Sequence, residues 1–384
     1  MRTWIVCVVA TMVLSLLFVP HSANAHAASS NKKYVETTRF IFGSFSGTRT
    51  KGGRLQLDAN RLRQGTDSTG RYNQGTYYYG QWLSPISHHR FNEAIVSWQA
   101  NTPVNTWIEV ELRAKVNGYW TKWYSMGVWL EHDQPFKRHS VSGQGDDHGR
   151  VATDTLILKS SATAYQTRIK LFTTDLAKTP SLRAYGVALS NGQDEPGTFP
   201  SRGVNKALDV PTRSQMVFPD GGEVWCSPTS TSMVMAYWAR VTGHAEWDQP
   251  VPHVVSKVWD YVYDGAGNWP YNTAYAASQG LDAKVVRFKS LSEVEPWIRA
   301  GIPVIASIAF GPGELPGAPI SRSNGHLLVI RGFDRDGNVL VNDPAGPADD
   351  QVRFTYGRKE FESAFLKHSN GTAYLIHPHG WKTP

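Results

Sequence analysis

Residues 223–238 read EVWCSPTSTSMVMAYW and place Cys226 where a loop becomes a helix. Ser227 followed by Pro228 is typical of an N-cap and the first helical residue, because proline fits the first position of a helix. Apolar side chains then recur at helical spacing, at Val234, Tyr237, Trp238 and Val241. We therefore predict a helix over residues 228–241 with Cys226 at its N-terminus. The helix dipole favours negative charge at such a position, which suits a reactive thiolate.

The first 25 residues are typical of a secretory signal peptide. Arg2 precedes an apolar run over residues 4–19, and Ala23-Asn24-Ala25 forms a small-residue cleavage pattern. Pro20 ends the run before it reaches the roughly 20 residues that a membrane helix needs. We therefore predict cleavage after Ala25, a secreted or wall-associated protein, and no membrane span. Cleavage removes Cys7, so the mature chain would keep one cysteine and form no internal disulfide.

Length and charge limit the remaining possibilities. The chain has 384 residues and a formal net charge of +7. It is too long for one compact core, which favours two domains. The positive charge contains no run of five or six like residues, and no nucleic-acid-binding motif occurs. A basic surface fits an anionic cell wall and equally fits the surface of an exported soluble protein.

The two halves of the chain follow different patterns. Residues 107–116 alternate between apolar and charged side chains, which is typical of a strand with one buried face. Further short apolar segments at regular spacing are separated by turn residues, which favours an antiparallel β-sandwich, jelly-roll-like in topology. The predicted divisions are a signal peptide at 1–25, a disordered leader at 26–33, a β-sandwich at 34–191, a Gly/Pro-rich linker at 192–206 and a second domain at 207–384.

The predicted sandwich is rich in aromatic residues, which permits two interpretations. Aromatic rings stack on sugars, so carbohydrate contact is possible; they also favour strands and fill sandwich cores, and for any single ring we favour the core. The residues concerned are Tyr77, Tyr78, Tyr79, Trp82, Trp98, Trp107, Trp120, Trp123, Tyr124 and Trp129.

The second domain mixes helix and strand patterns and is predicted to be α+β. Residues 290–293 (SLSE) form a capping box, which indicates a helix that ends at Gly301. Other helices are predicted at 268–279 and 358–366, and strands at 303–310, 326–332, 339–342 and 372–376.

One histidine stands at the start of a buried strand, where a general base could meet Cys226. Residues 323–330 read SNGHLLVI and place His326 directly after a glycine. A base also needs a partner that orients its second ring nitrogen. The returning strand ends in Asn342 and Asp343, and both are plausible partners. Adjacent strand residues point to opposite faces, so only one of them can reach the ring.

Three blocks of sequence resemble the C39-like cysteine peptidases of the papain-like superfamily. They are SQMVFPDGGEVWCSPTSTSMVMAYW, NGHLLVIRGFD and VLVNDPAG, and the resemblance covers roughly residues 207–378. It implies a papain-like fold with Cys226 as nucleophile, His326 as general base and Asp343 as its orienting acid. The family also has a glutamine before the cysteine as oxyanion donor; Gln215 takes this place, with residues 218–223 as an apparent insertion.

The pattern Asp343-Pro344 matches the C39-like family, and a carboxylate stabilises an imidazolium better than an amide does. We therefore expect Asp343 rather than Asn342 at His326. Asp343 would lie directly opposite His326 if the turn centred on Asp334 and Arg335, so we expect a wide loop over residues 333–337.

These features predict a secreted cysteine peptidase that hydrolyses amide bonds of a peptide, a protein or a cell-wall peptide through a thioester acyl-enzyme. The sandwich would serve targeting or substrate presentation. No metal-ligand spacing occurs, and this chemistry requires no cofactor. The alternatives are a non-catalytic surface or carbohydrate-binding protein with a degenerate peptidase domain, and a transferase that uses the same three residues.

Overall fold

The computed structural model describes residues 32–192, 200–367 and 369–384. The predicted signal peptide, residues 26–31 of the predicted leader and residues 193–199 of the predicted linker lie outside these ranges. None of the helices within the ranges has the length and apolar character that a membrane crossing requires.

Within the described residues 32–192, which we call the first region, the regular secondary structure consists of strands. They are β1 Lys33–Thr37, β2 Ser44–Ser46, β3 Thr48–Lys51, β4 Arg54–Leu57, β5 Arg63–Thr66, β6 Thr76–Leu83, β7 Phe91–Asn101, β8 Thr106–Val116, β9 Tyr119–Trp120, β10 Tyr124–Trp129, β11 Gly149–Ala152, β12 Thr155–Thr173 and β13 Ser181–Ser190.

Helices and strands both occur in the described residues from 200 onward, which we call the second region. They are β14 Lys206–Ala207, α1 Cys226–Thr242, α2 Val251–Val258, α3 Trp269–Ser278, β15 Leu281–Arg287, α4 Leu291–Arg299, β16 Val304–Phe310, β17 Ser323–Phe333, β18 Val339–Asn342, β19 Arg353–Tyr356, α5 Arg358–Lys367 and β20 Thr372–Pro378.

The long strand β12 connects two sets of antiparallel strands in the first region. Its first half pairs with β7 and its second half with β8 and β6, and irregular register between Ile157 and Ala164 separates the halves. Trp82 of β6 and Tyr185 of β13 meet between the two sets, with ring centroids 5.7 Å apart. Large antiparallel sheets are thus confirmed, while the jelly-roll topology stays a prediction.

Five of the ten predicted aromatic positions fill the interior of this region. Trp82, Trp98, Trp107, Tyr124 and Trp129 are at most 1% exposed. Burial of this kind is the packing role that strands and sandwich cores ordinarily give to aromatic rings. The structure therefore favours packing for these five rings.

The second region is built on a second antiparallel sheet with the strand order β15-β20-β16-β17-β18-β19. Sequence patterns predicted most elements of this region but missed β14, α2, β15 and β19. These elements are only two to eight residues long, too short for a clear periodic pattern. The capping box of α4 forms only in part, because Glu293 accepts from the backbone N–H of Lys289 and Ser290 makes no side-chain cap.

Helix α1 is buried along most of its length, although its first half is polar. Residues 226–239 are all buried, whereas Val241, predicted to lie on the apolar face, is 45% exposed. Among the described residues, four of the five hydroxyls in its first turns find partners, and Thr229 is the exception. The pairs are Ser227 with Tyr374, Ser230 with Leu327, Thr231 with Asn272 and Ser232 with Gln249. Such hydrogen bonds are what permits a polar helix face to be buried.

The two regions are joined by charged side chains at helix ends. Arg138 of the first region, 1% exposed, donates to the carbonyl of Ser256 in the last turn of α2 (3.0 Å). Asp154 of the first region accepts from the backbone N–H of Trp269, the first residue of α3 (2.8 Å). Each charge complements the helix dipole and satisfies a backbone group without an intrahelical partner. Two hydrogen bonds with defined partners therefore join the two regions.

Two carboxyl groups of the first region titrate in an unusual range at this contact. Burial raises the pKa of Glu131 to about 7, and burial raises the pKa of Asp154 to about 6. Glu131 accepts from the backbone N–H of Thr102 (2.6 Å). Both pKa values lie above the ordinary 4.5 and 3.8, so between these limits the folded protein binds more protons than the unfolded chain.

We predict that the protein is most stable in mild acid. Because the raised pKa values favour the neutral carboxyl, their stabilising contribution is complete below about pH 4 and is lost as the pH rises through about 6 to 7. Glu131→Gln should flatten the decline of the thermal midpoint between pH 5 and pH 8 and so raise stability at pH 8 by about 1–3 kcal/mol. Asp147→Asn, at an exposed position, is the matched control. An unchanged pH slope in Glu131→Gln would contradict the prediction.

Candidate active site

Cys226 is the first residue of α1, and Trp225 takes the N-cap position. The predicted N-cap at Ser227 and first helical position at Pro228 are wrong by two residues. The first four N–H groups of a helix have no intrahelical partner, so Pro228 costs no hydrogen bond at the third position. The prediction that Cys226 lies at a helix N-terminus agrees with this geometry.

Contacts along α1 align the helix with β17. Ser230, one turn after Cys226 and on the same helix face, donates from Oγ to the carbonyl of Leu327 (3.1 Å). Met233 Sδ, nearly a turn further, lies 3.8 Å from Asn342 Nδ2, and Asn342 pairs with Val329 of β17. Helix and strand therefore run in the same direction.

The contact between Ser230 and Leu327 also indicates which part of β17 lies near the start of α1. The four helical residues from Ser230 back to Cys226 cover about 6 Å, which is roughly two residues of a strand. Two residues before Leu327 is Gly325, and His326 lies between them. The first turns of α1 therefore pack near the first half of β17, which carries His326.

His326 forms a buried pair with Asp343. Nε2 of His326 lies 2.6 Å from Oδ1 of Asp343, and both side chains are 1% exposed. A carboxylate only accepts hydrogen bonds, so Nε2 carries the proton toward Asp343. Nδ1 is then the ring nitrogen that remains for proton exchange with another group.

The surroundings of Asp343 keep it ionised. Burial acts to raise the pKa of Asp343, but the charge of His326 and hydrogen bonds from His326, from the hydroxyl of Tyr356 (2.8 Å) and from the backbone N–H of Ala345 (3.0 Å) outweigh burial and hold that pKa below its ordinary value. Burial, the negative charge of Asp343 and the hydrogen bond to Asp343 all raise the pKa of Tyr356. Tyr356 therefore donates to the carboxylate as a neutral hydroxyl.

Sequence reasoning did not find Tyr356. The residue lies in the short strand β19, which pairs with β18 and places Tyr356 opposite Val339. Its neighbours Phe354 and Phe361 stack on the ring at centroid distances of 6.1 and 6.0 Å. The stretch RFTY gave no signal for this role, because the hydroxyl meets Asp343 only after two strands pair.

Asn342 has a different environment. Its Nδ2 donates to the carbonyls of Val210 and Pro211, each at 3.1 Å, and the side chain is fully buried. Asn342 and Asp343 thus point in different directions, as successive residues of an extended chain do.

The connection between β17 and β18 differs from the expected geometry. The loop runs over residues 334–338, and a register shift at Arg331 leaves Asn342 opposite Val329. Continuing that register would place Asp343 opposite Leu328 rather than opposite His326, so the expected direct pairing is wrong. The two residues instead meet diagonally, a separation that side chains of this length can span.

Gln215 is fully buried beside the loop that leads into α1. Its backbone N–H donates to the carbonyl of Pro344 (2.9 Å), and its Nε2 donates to the carbonyl of Gly222 (2.9 Å). Residues 218–223, the apparent insertion, form a tight turn that returns the chain to Gln215. A Cβ at Gly222 would lie 2.1 Å from the carbonyl oxygen of Gln215, so this approach requires glycine. The insertion therefore does not carry Gln215 away from Cys226.

Within the described ranges, no group of three or more His, Cys, Asp or Glu side chains is arranged to hold a metal ion.

Two family models match this chain, and both describe domains of C39 peptidases. Residues 207–373 match the Peptidase_C39 like family, and residues 30–190 match the Peptidase C39 N-terminal domain. The resemblance of the C-terminal region to the C39-like peptidases, predicted from its three sequence blocks, is thereby confirmed. The match of the first region to a C39 N-terminal domain was not anticipated from the sequence.

Among solved structures, a candidate C39-like peptidase from Bacillus anthracis shares 19% sequence identity. The match covers 47% of this chain and 100% of that chain, with a TM-score of 0.33, which is too low to establish a shared fold. No curated protein matches the chain.

We predict opposite effects for substitutions at Asn342 and Asp343. Asn342→Ala leaves two buried carbonyls without donors and should lower the free energy of unfolding by about 1–3 kcal/mol. Asp343→Asn keeps the shape but removes the charge, so it should lower kcat/KM for a peptide about 10²-fold while changing stability less. Chemical denaturation and peptide kinetics on both variants measure this. A severe loss of activity in Asn342→Ala with a mild one in Asp343→Asn would contradict it.

We further predict that the Tyr356 hydroxyl tunes the acid limb of activity. Tyr356→Phe keeps the stacked ring but removes a hydrogen bond to Asp343, so the pKa of Asp343 should rise and the acid limb of kcat/KM should move to higher pH. Tyr237→Phe is the matched control, since the Tyr237 hydroxyl donates to Gly301 (2.9 Å) and does not contact Asp343. Equal acid limbs in the wild type and in Tyr356→Phe would exclude this role.

Proposed function

We propose that the protein is a cysteine peptidase that cleaves amide bonds through Cys226, His326 and Asp343. The observation that carries the proposal is the buried His326–Asp343 pair, beside a helix that begins at Cys226 and contacts Leu327, the neighbour of His326, through Ser230. The resemblance of the C-terminal region to a peptidase family supports the same chemistry.

In the proposed acylation step, Sγ of Cys226 attacks the carbonyl carbon of the substrate amide. The thiol proton passes to Nδ1 of His326, and the imidazolium then donates a proton to the departing amine. Asp343 holds the ring by its hydrogen bond to Nε2 and stabilises the positive charge. Water, activated by the same histidine, then hydrolyses the thioester.

Two donors are proposed for the oxyanion of the tetrahedral intermediate. One is the backbone N–H of Cys226, the first residue of α1. The other is the Gln215 side-chain amide, which carries two N–H donors, of which Gly222 engages one. Each such donor is worth about 3–4 kcal/mol of transition-state stabilisation.

The remaining assignments rest on the sequence. We propose that the chain is exported with cleavage after Ala25, and that its substrate is a peptide or protein, including the peptides of a cell wall. The first region, through its polar contacts to α2 and α3, would hold or present substrate rather than perform chemistry.

We predict that Cys226→Ser lowers kcat/KM for peptide hydrolysis by about 10³-fold or more, because a hydroxyl ionises far less readily than a thiol. The fold should be retained, as shown by an unchanged thermal midpoint. In the chain from His26 onward Cys226 is the single cysteine, so iodoacetamide should block both activity and labelling by a thiol-reactive peptide probe.

Two controls define the outcome of this experiment. Gln215→Ala should remain labelled by the probe while its kcat falls, which separates nucleophile from oxyanion donor. Wild-type hydrolysis that survives complete alkylation of Cys226 would disprove the proposal.

A further inference from the structure

Three large apolar side chains lie exposed in the five-residue stretch 41–45, where the connection after β1 leads into β2. Ile41 is 62% exposed, Phe42 is 70% exposed and Phe45 is 39% exposed. Single exposed apolar residues are ordinary, but a cluster of this kind marks an interaction site. We name Ile41, Phe42 and Phe45 the apolar tip.

The backbone of the apolar tip is fixed to the sheet behind it. Trp82 Nε1 donates to the carbonyl of Phe42 (3.0 Å). Gly43 has a φ of +103°, and a Cβ there would lie 2.3 Å from the carbonyl oxygen of Leu83. The tip is therefore ordered before it meets a partner, which lowers the entropic cost of binding.

Basic side chains surround the tip. Between residues 38 and 66 the chain carries six basic residues and one acidic residue, Asp58, an excess of five positive charges against +7 for the whole chain. The exposed members nearest the tip form what we name the basic rim: Arg39, Arg49, Lys51, Arg54 and Arg61.

Contacts between chain segments connect the parts of the chain that carry the basic rim and the tip. Thr50, between Arg49 and Lys51, donates from Oγ1 to the carbonyl of Phe40. Arg54 pairs with Lys51 across β3 and β4. The carbonyl of Arg61 lies against Gly47, two residues beyond the tip. The chain segments that carry the rim therefore lie next to the segment that carries the tip.

We propose that the apolar tip and basic rim dock on a lipid bilayer with anionic headgroups. The apolar tip gains free energy only by entering an apolar phase, and the rim complements a negative membrane surface. A hydrophilic polyanion would neutralise the rim but leave the tip in water. A second copy of the chain would bring two positive rims together. The inference does not depend on the chemistry of Cys226.

The test is vesicle sedimentation with the chain from His26 to Pro384, which holds every described residue and omits the apolar segment at 4–19. Binding to phosphatidylglycerol-containing vesicles is expected, with little binding to pure phosphatidylcholine vesicles and weakening at high salt. Ile41→Ser combined with Phe42→Ser should lower the partition constant about tenfold or more. Arg49→Glu should lower it about tenfold at low salt.

Matched controls lie elsewhere on the surface. Tyr119→Ser removes an aromatic side chain that is 78% exposed, and Arg335→Glu reverses a charge at a side chain that is 87% exposed; both should bind like the wild type. Phe42→Ser alone serves if the double variant has a lowered thermal midpoint. Hydrolysis of a soluble peptide should be unchanged in all of them.

Three results would overturn the proposal. They are no binding to anionic vesicles, equal losses in the tip variant and in Tyr119→Ser, and loss in Arg49→Glu with full binding by the tip variant. The last result would show electrostatic adsorption through the rim alone, with no entry of the tip into the bilayer.

Discussion

The architecture of the candidate site depends on one buried negative charge. A carboxylate such as Asp343, 1% exposed, is costly to bury unless charge and hydrogen bonds compensate it. Those partners come from separate elements: His326 from β17, Tyr356 from β19 and the backbone of Ala345 from the loop after β18. Keeping Asp343 ionised therefore requires β17, β18 and β19 to lie in one fixed register.

The same constraint reaches the cysteine through α1. Most hydroxyls of the first turns of α1 have hydrogen-bond partners, which permits that part of the helix to be buried. The Ser230 hydroxyl finds the carbonyl of Leu327, next to His326. Gln215 links the loop before the helix to Pro344, next to Asp343. The positions of Cys226, His326 and Asp343 are thus set by polar contacts of their neighbours as well as by apolar packing.

The contact between the two regions also rests on polar geometry. Arg138 satisfies carbonyls at the end of α2, and Asp154 satisfies an N–H at the start of α3. The aromatic ring of Tyr271 in α3 packs against Trp98 and Trp129 of the first region, and its hydroxyl donates to Val128 (3.0 Å). A first region joined in this way can fix the orientation of the site relative to any surface on which its apolar tip docks.

The sequence alone determined the elements with strong local signals. Three signals depend only on neighbouring residues: Gly280 after a helical pattern, the apolar run around His326, and the Cys226-Ser-Pro stretch. Because these signals are local, α3, β17 and the helix bearing Cys226 could be predicted to within a few residues. The three motif blocks likewise identified the family of the C-terminal region. Only the tertiary structure decided how Asp343 meets His326, because a register shift at Arg331 in β17 displaces the pairing that loop length alone suggests. The tertiary structure alone brought Tyr356 to Asp343 and the segments of the basic rim to the apolar tip. Contacts between distant segments join residues that no local pattern relates.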